Sequence, residues 1–217
     1  MTVNLITLTE PRSAMAEAYR TLRTNLMFSG TEKPLQAIML TSTAESDGKS
    51  IALANLAVTF AQAGNKTILV DCDLRRPSQH EIWGVDNTRG LMTMMVDNAA
   101  LATPPLLESG VEHLSLLTSG EVPAVPADVL SNPRMREVIG VLKARADYIL
   151  FDSPPVLAAT DAALLGIKLD GVLLVVRAGH TRRDQVTKAR QTLQRVNVPL
   201  LGAVLTNAPR EGGRRYS

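Results

Sequence analysis

The segment Leu40-Thr41-Ser42-Thr43-Ala44-Glu45-Ser46-Asp47-Gly48-Lys49-Ser50 constrains this chain more than any other part. An apolar, β-branched run from Ala37 to Thr41 leads into it, and a long apolar run from Ile51 to Ala63 leaves it. The pattern predicts strand, tight loop and helix, with Gly48-Lys49-Ser50 at the helix start. A helix start presents free N–H groups and the positive end of the aligned peptide dipoles, so anions are attracted there. In that setting Ser46, Asp47, Gly48, Lys49, Ser50 and Ile51 are candidates to cradle phosphates. Lys49 would reach the terminal phosphates and the Ser50 hydroxyl would hold magnesium. The pattern is incomplete, because a full phosphate loop has glycine five residues before Gly48, where this chain has Thr43. Gly-Lys-Ser alone also describes an ordinary helix start with a solvated lysine.

The downstream sequence decides between these readings. Asp71 and Asp73 close a second apolar run, Thr67 to Val70, and lead into Leu74-Arg75-Arg76-Pro77. Asp152 closes a third, Tyr148 to Phe151, and is followed by Ser153-Pro154-Pro155. Acidic residues at the carboxyl ends of parallel strands face the ligand crevice of such sheets. Each carboxylate alone could be a helix cap or a solvated loop residue. Together they fit one geometry, that of ATP with Mg2+.

These motifs carry a resemblance. The phosphate loop, the acidic motif Ile68-Leu69-Val70-Asp71-Cys72-Asp73-Leu74-Arg75-Arg76-Pro77 and Phe151-Asp152-Ser153-Pro154-Pro155 resemble those of the bacterial tyrosine kinases. These are the ATPase-fold kinases of capsule and exopolysaccharide systems. Glu17-Ala18-Tyr19-Arg20-Thr21-Leu22-Arg23-Thr24-Asn25 is similar to that family's oligomerisation helix. The resemblance extends from about Leu5 to Pro209, and the order of the four motifs makes it specific.

The resemblance implies an ATP- and Mg2+-dependent autokinase. Lys49, Asp71, Asp73 and Asp152 would be its catalytic residues. Asp71 would accept the proton of an attacking tyrosine hydroxyl, Ser50 would bind magnesium directly, and Asp73 and Asp152 would hold it through waters. Asn207, just after the last strand, would recognise adenine, although the family's usual position falls on Thr206. Tyr216 would be the phosphoacceptor. Glu17, Arg20 and Arg23 would build a homo-oligomer, and a membrane-embedded activator of the polysaccharide chain-length-determinant type would be the partner. Arg75 and Arg76 could guide phosphates or form a surface pair. The chain departs from the family in Glu45-Ser46-Asp47, where Ser46 replaces glycine and two acids approach the phosphate site, and in having a single tail tyrosine. A nucleotide-dependent switch of the partition-ATPase type, or a scaffold that binds ATP without transferring phosphate, is the alternative. Ala44 stands where the partition type carries a further lysine.

Bulk properties narrow the partners. A net charge of +2, with acids and bases interspersed, gives no basic surface for nucleic acid. One cysteine, Cys72, excludes a disulfide framework and reads as a small core residue in a reducing compartment. No leader is read at Met1 to Leu5, and the longest apolar stretch, interrupted by Lys168 and Asp170, is too short for direct membrane insertion. The expected location is the cytoplasm, with recruitment to the inner face of the membrane by a partner.

The remaining pattern alternates strands and helices. Strands are expected at Leu114–Leu117, Gly171–Val176 and Leu201–Leu205. Helices are expected at Met135–Ala144, at Asp161–Leu165 with Thr160 as cap, and at Arg182–Val196. The fold class is α/β, a doubly wound and mostly parallel sheet of the P-loop NTPase type. Residues 1–209 are expected to form one ATP-binding kinase domain, with an N-terminal helix at about 12–28 whose stripe is Ala18, Leu22 and Leu26. The span Ser78 to Leu107 reads as irregular, its Met92–Met95 cluster as core filling, and Pro123 to Pro126 as loop. Residues 210–217 read as a flexible tail.

Overall fold

The apolar runs pair into one sheet. The computed structural model describes residues 4–29 and 34–208. Its strands are β1 (Ala37–Ser42), β2 (Thr67–Asp71), β3 (Leu107–Glu108), β4 (Leu114–Leu117), β5 (Tyr148–Asp152), β6 (Gly171–Arg177) and β7 (Leu200–Thr206). They lie in the order β3-β4-β2-β5-β1-β6-β7, all parallel except the β3–β4 pair. The short β3 was not legible in the sequence. The expected tail at 210–217, with Tyr216, lies outside the described residues.

The period-two alternation of strand side chains divides the core into two layers. Ile38, Leu40, Leu69, Leu150 and Leu173 face one side, where helix α3 (Lys49–Gln62) packs with α1 (Ile6–Thr9) and α2 (Ala14–Ser29). Met39, Ile68, Val70, Ile149, Phe151, Val172 and Leu174 face the other, against α5 (Leu91–Val96), α8 (Arg134–Lys143), α9 (Asp161–Gly166) and α10 (Arg183–Arg195). Both layers are buried, so the central strands read as continuous apolar runs. Cys72 is fully buried in the second layer, and so is Met94 of the methionine cluster.

Several local readings change. Ser78 to Leu107 holds three short helices, α4 (Gln79–Trp83), α5 and α6 (Asn98–Ala102). The expected loop at Pro126 is the start of α7 (Pro126–Ser131), since proline is tolerated in a first helical turn, where its missing N–H costs no bond. Thr160 makes no side-chain cap to α9. On α2, Ala18 is exposed and the face turned inward carries Ala16, Tyr19, Leu22 and Leu26. The real stripe begins two residues earlier than the spacing of four suggested.

The topology positions the site. β5 inserts between β1 and β2, so Asp152 is level with Leu40 on one neighbour and with Asp71 on the other. The phosphate loop and both acidic strand ends therefore share the carboxyl edge of the sheet.

Candidate active site

The loop between β1 and α3 is held from inside. Residues Glu45–Asp47 form a 3-10 turn, and Gly48 then takes φ +80°, a left-handed conformation that glycine adopts without a Cβ clash. The Asp47 carboxylate is buried and accepts the Thr43 N–H at 3.2 Å, the Thr43 hydroxyl at 2.7 Å and the Ala44 N–H at 3.0 Å. Its other oxygen accepts the Thr181 hydroxyl at 2.8 Å. Thr43 therefore serves the loop where a glycine was expected. The expected repulsion of phosphate by Glu45 and Asp47 is offset, because Asp47 is turned into the loop and Glu45 pairs with Arg76. Ser46 needs no positive φ, and its carbonyl accepts Arg177 at 3.0 Å while its hydroxyl meets His180 Nε2 at 3.0 Å.

No side chain caps α3, and the N–H groups of Gly48, Lys49, Ser50 and Ile51 have no partner among the described residues. They form the anion cradle that the motif predicts. Lys49 is buried, and its ammonium donates to Asp73 at 2.9 Å, Asp152 at 3.2 Å and Ser50 Oγ at 3.1 Å. Burial alone would lower its pKa, but the charges of Asp152 and Asp73 outweigh that and hold it above its ordinary range. Ile51 is half exposed at the helix start.

Asp71 is fully buried. One oxygen accepts the Asp73 N–H at 3.1 Å, and the other accepts the N–H groups of Ser78 and Gln79, each at 2.9 Å. Burial, and then the neighbouring Asp152 charge, push its pKa up to about 7 against the pull of those three amides. One lysine therefore meets two carboxylates, with Asp71 beside Asp152 behind them, an excess of negative charge that a divalent cation would balance. Among the described residues no three His, Cys, Asp or Glu side chains form a metal cage. Magnesium bound mostly by phosphate, Ser50 and water suits such a site. Phosphate and magnesium fit the residues present.

Other candidates fall around this centre. Arg75 forms a two-bonded ion pair with buried Asp161 at 2.8 and 3.0 Å and so ties the acidic loop to α9. Asn207 follows β7 at φ +53° and is exposed, while its neighbour Thr206 donates to the Asp47 carbonyl at 2.8 Å. Glu17, Arg20 and Arg23 lie apart, on α2. Arg20 bonds Glu17 at 2.9 Å and the Pro11 carbonyl at 2.6 Å, and Arg23 bonds the Thr59 carbonyl of α3 at 2.9 Å. Sequence reasoning missed Gln79, a buried amide that touches Asp152. Its only signal was proximity to the acidic motif.

A family model described as "NUBPL iron-transfer P-loop NTPase", of the ParA type, matches residues 35–208. The tyrosine-protein kinase YwqD of Bacillus subtilis is 40% identical over 202 residues, 93% of this chain and 85% of that protein. The crystal structure of the chimerical protein CapA2B2 superimposes with a TM-score of 0.90 at 33% identity, covering 97% of this chain and 92% of the other. The kinase domain of the Escherichia coli tyrosine kinase Etk gives 0.89 at 29% identity, covering 100% and 86%. A nucleotide-type phosphate loop, two acidic strand ends and this likeness over nearly the full length converge: the chain belongs to the bacterial tyrosine-protein kinases, a branch of the ParA-type P-loop NTPases.

Proposed function

We propose that the chain is an ATP- and Mg2+-dependent protein-tyrosine autokinase that regulates capsular or exopolysaccharide synthesis and export. The observation that carries this reading is the Lys49 ammonium, buried between Asp73 and Asp152 at the mouth of a phosphate loop. When bound, Mg-ATP supplies the transferable phosphoryl group and the divalent charge that steadies it. The chain's residues position and neutralise. Lys49 and the free amides of Gly48 to Ile51 bind the phosphates on a loop shaped by Ser46 and Asp47. Ser50 would hold the magnesium directly, with Asp73 and Asp152 reaching it through waters.

Asp71 takes the role of base toward the tyrosine hydroxyl. A carboxylate offers about four acceptor positions. Three are filled by backbone N–H groups, which leaves one on the oxygen that faces Asp73. A pKa of about 7 suits a group that must accept a proton near neutral pH. Asn207 would hold the adenine, residues 1–209 would form the kinase domain, and residues 210–217 would carry the acceptor Tyr216.

Glu17 and Arg20 would meet a neighbouring copy, with Arg23 holding their helix, and a membrane-embedded activator of the chain-length-determinant type would recruit the protein to the membrane. Among the described residues no helix is long and apolar enough to cross a membrane. Mapping phosphotyrosine by mass spectrometry, on protein from the cells that make it and after incubation with Mg-ATP, tests the reading. Label on Tyr216 is expected. ATP hydrolysis with no phosphotyrosine would favour a nucleotide switch, and binding without turnover a scaffold.

A further inference from the structure

Gln79 is a buried polar side chain, 2% exposed, that joins the acidic strand ends to α3 and α4. Its amide nitrogen donates to Asp152 Oδ2 at 2.7 Å and to the Ser50 carbonyl at 3.2 Å. Its amide oxygen accepts the Trp83 indole N–H at 3.2 Å, and its backbone N–H binds Asp71. An indole nitrogen only donates, so the amide oxygen must face Trp83 and the NH2 group must face Asp152. Trp83 thereby fixes which end of the amide meets the carboxylate.

Asp152 is held at both oxygens, by the Lys49 cation on Oδ1 and by the neutral Gln79 amide on Oδ2. A second lysine in place of Gln79 would cancel the charge that a metal needs. An amide fixes the carboxylate and leaves its charge in place. We propose that Gln79 is a positioning residue for phosphoryl transfer, orienting Asp152 toward bound magnesium while Trp83 orients Gln79. The proposal rests on the reading of Asp152 as a magnesium-site residue.

The test needs no turnover. ADP affinity is measured by calorimetry with and without Mg2+ in the full chain and in Gln79→Met, Gln79→Asn and Asp152→Asn. Trp83 emission is followed in the same samples, since Trp83 is the chain's one tryptophan. Residues that orient direct metal ligands typically cost about 10- to 100-fold in metal affinity when changed, and Asp152, reaching magnesium through water, puts Gln79 at the low end of that range. Gln79→Met should therefore keep the Mg2+-free ADP affinity and lose about tenfold of the tightening that Mg2+ confers. The wild-type change in emission on adding Mg-ADP should disappear. Gln79→Asn, which withdraws the amide by one methylene, should move the same way and serves if methionine prevents folding. Wild-type Mg2+ tightening in a folded Gln79 variant, with tightening lost in Asp152→Asn, would overturn the proposal alone. Undiminished tightening in Asp152→Asn would overturn the magnesium reading beneath it.

Discussion

Two lysine–aspartate pairs sit at opposite ends of the same sheet and behave differently. At the amino end, Lys143 bonds both oxygens of Asp170 at 2.7 Å, and Asp170 also accepts the N–H groups of Gln36 and Ala37 at 3.1 and 2.8 Å. One cation meets one carboxylate, and both side chains are about a quarter exposed, at 29% and 27%. At the carboxyl end, Lys49 is 7% exposed and faces Asp73 and Asp152, with Asp71 behind them. The first pair is balanced and closes a strand end; the second carries excess negative charge in a place where charge is costly. Two cavities, of about 420 and 720 Å3, open at the amino end, yet neither is lined by a candidate site residue. The difference teaches that unbalanced buried charge, more than concavity, marks the chemistry here.

Breaking the buried pair should have the largest effect. Lys49→Met removes a cationic phosphate contact worth about 2–3 kcal/mol, so ADP binding by calorimetry should weaken by about 30- to 150-fold. It also strands two buried carboxylates, and breaking such a pair costs about 3–5 kcal/mol at neutral pH. Urea unfolding should show that loss.

The pH dependence of the nucleotide-free and magnesium-free protein sharpens the contrast next, because the two ends have opposite signs. Asp71 is raised from 3.8 to about 7, so its contribution is fully present below pH 3.8 and is lost as pH rises through about 7. Asp170 is lowered: burial would raise it, but the Lys143 ammonium and the two amides prevail. Its contribution is present above pH 3.8 and is lost as pH falls through the depressed value. Asp71→Asn should flatten the decline in urea midpoint between pH 4 and 7. Asp170→Asn should flatten only the acid limb. The reverse pattern would undo the comparison.

Lys143→Met should cost about 1 kcal/mol or less, because solvent screens a partly exposed pair, and should leave ADP affinity unchanged. The smallest effect on monomer stability belongs to α2. Glu17→Ala, Arg20→Ala, Arg23→Ala together should shift the urea midpoint by less than about 1 kcal/mol of stability, the Arg23–Thr59 bond being the main loss. The same triple variant should lose, in light scattering, the assembly proposed for α2, and unchanged assembly would remove α2 from that proposal.

The strands and the loop were legible because buried parallel strands leave apolar runs with acids at their ends, as in Thr67–Asp71 and Tyr148–Asp152. Less legible was whatever depends on partners distant in sequence. Lys49 and Asp152 are 103 residues apart, and only the insertion of β5 between β1 and β2 brings them together. Gln79 was missed because a helix of five residues shows no periodicity. The acids of the loop suggested repulsion because sequence does not reveal that Asp47 turns inward and Glu45 meets Arg76.

The most direct test compares phosphotyrosine formed from labelled ATP and Mg2+ by the wild type, Lys49→Met and Lys143→Met under identical conditions. Wild type and Lys143→Met should label tyrosine alike, and folded Lys49→Met should not label. Equal labelling by Lys49→Met, or ATP consumption by the wild type with no phosphotyrosine, would contradict the assignment of phosphoryl transfer to the carboxyl edge of the sheet.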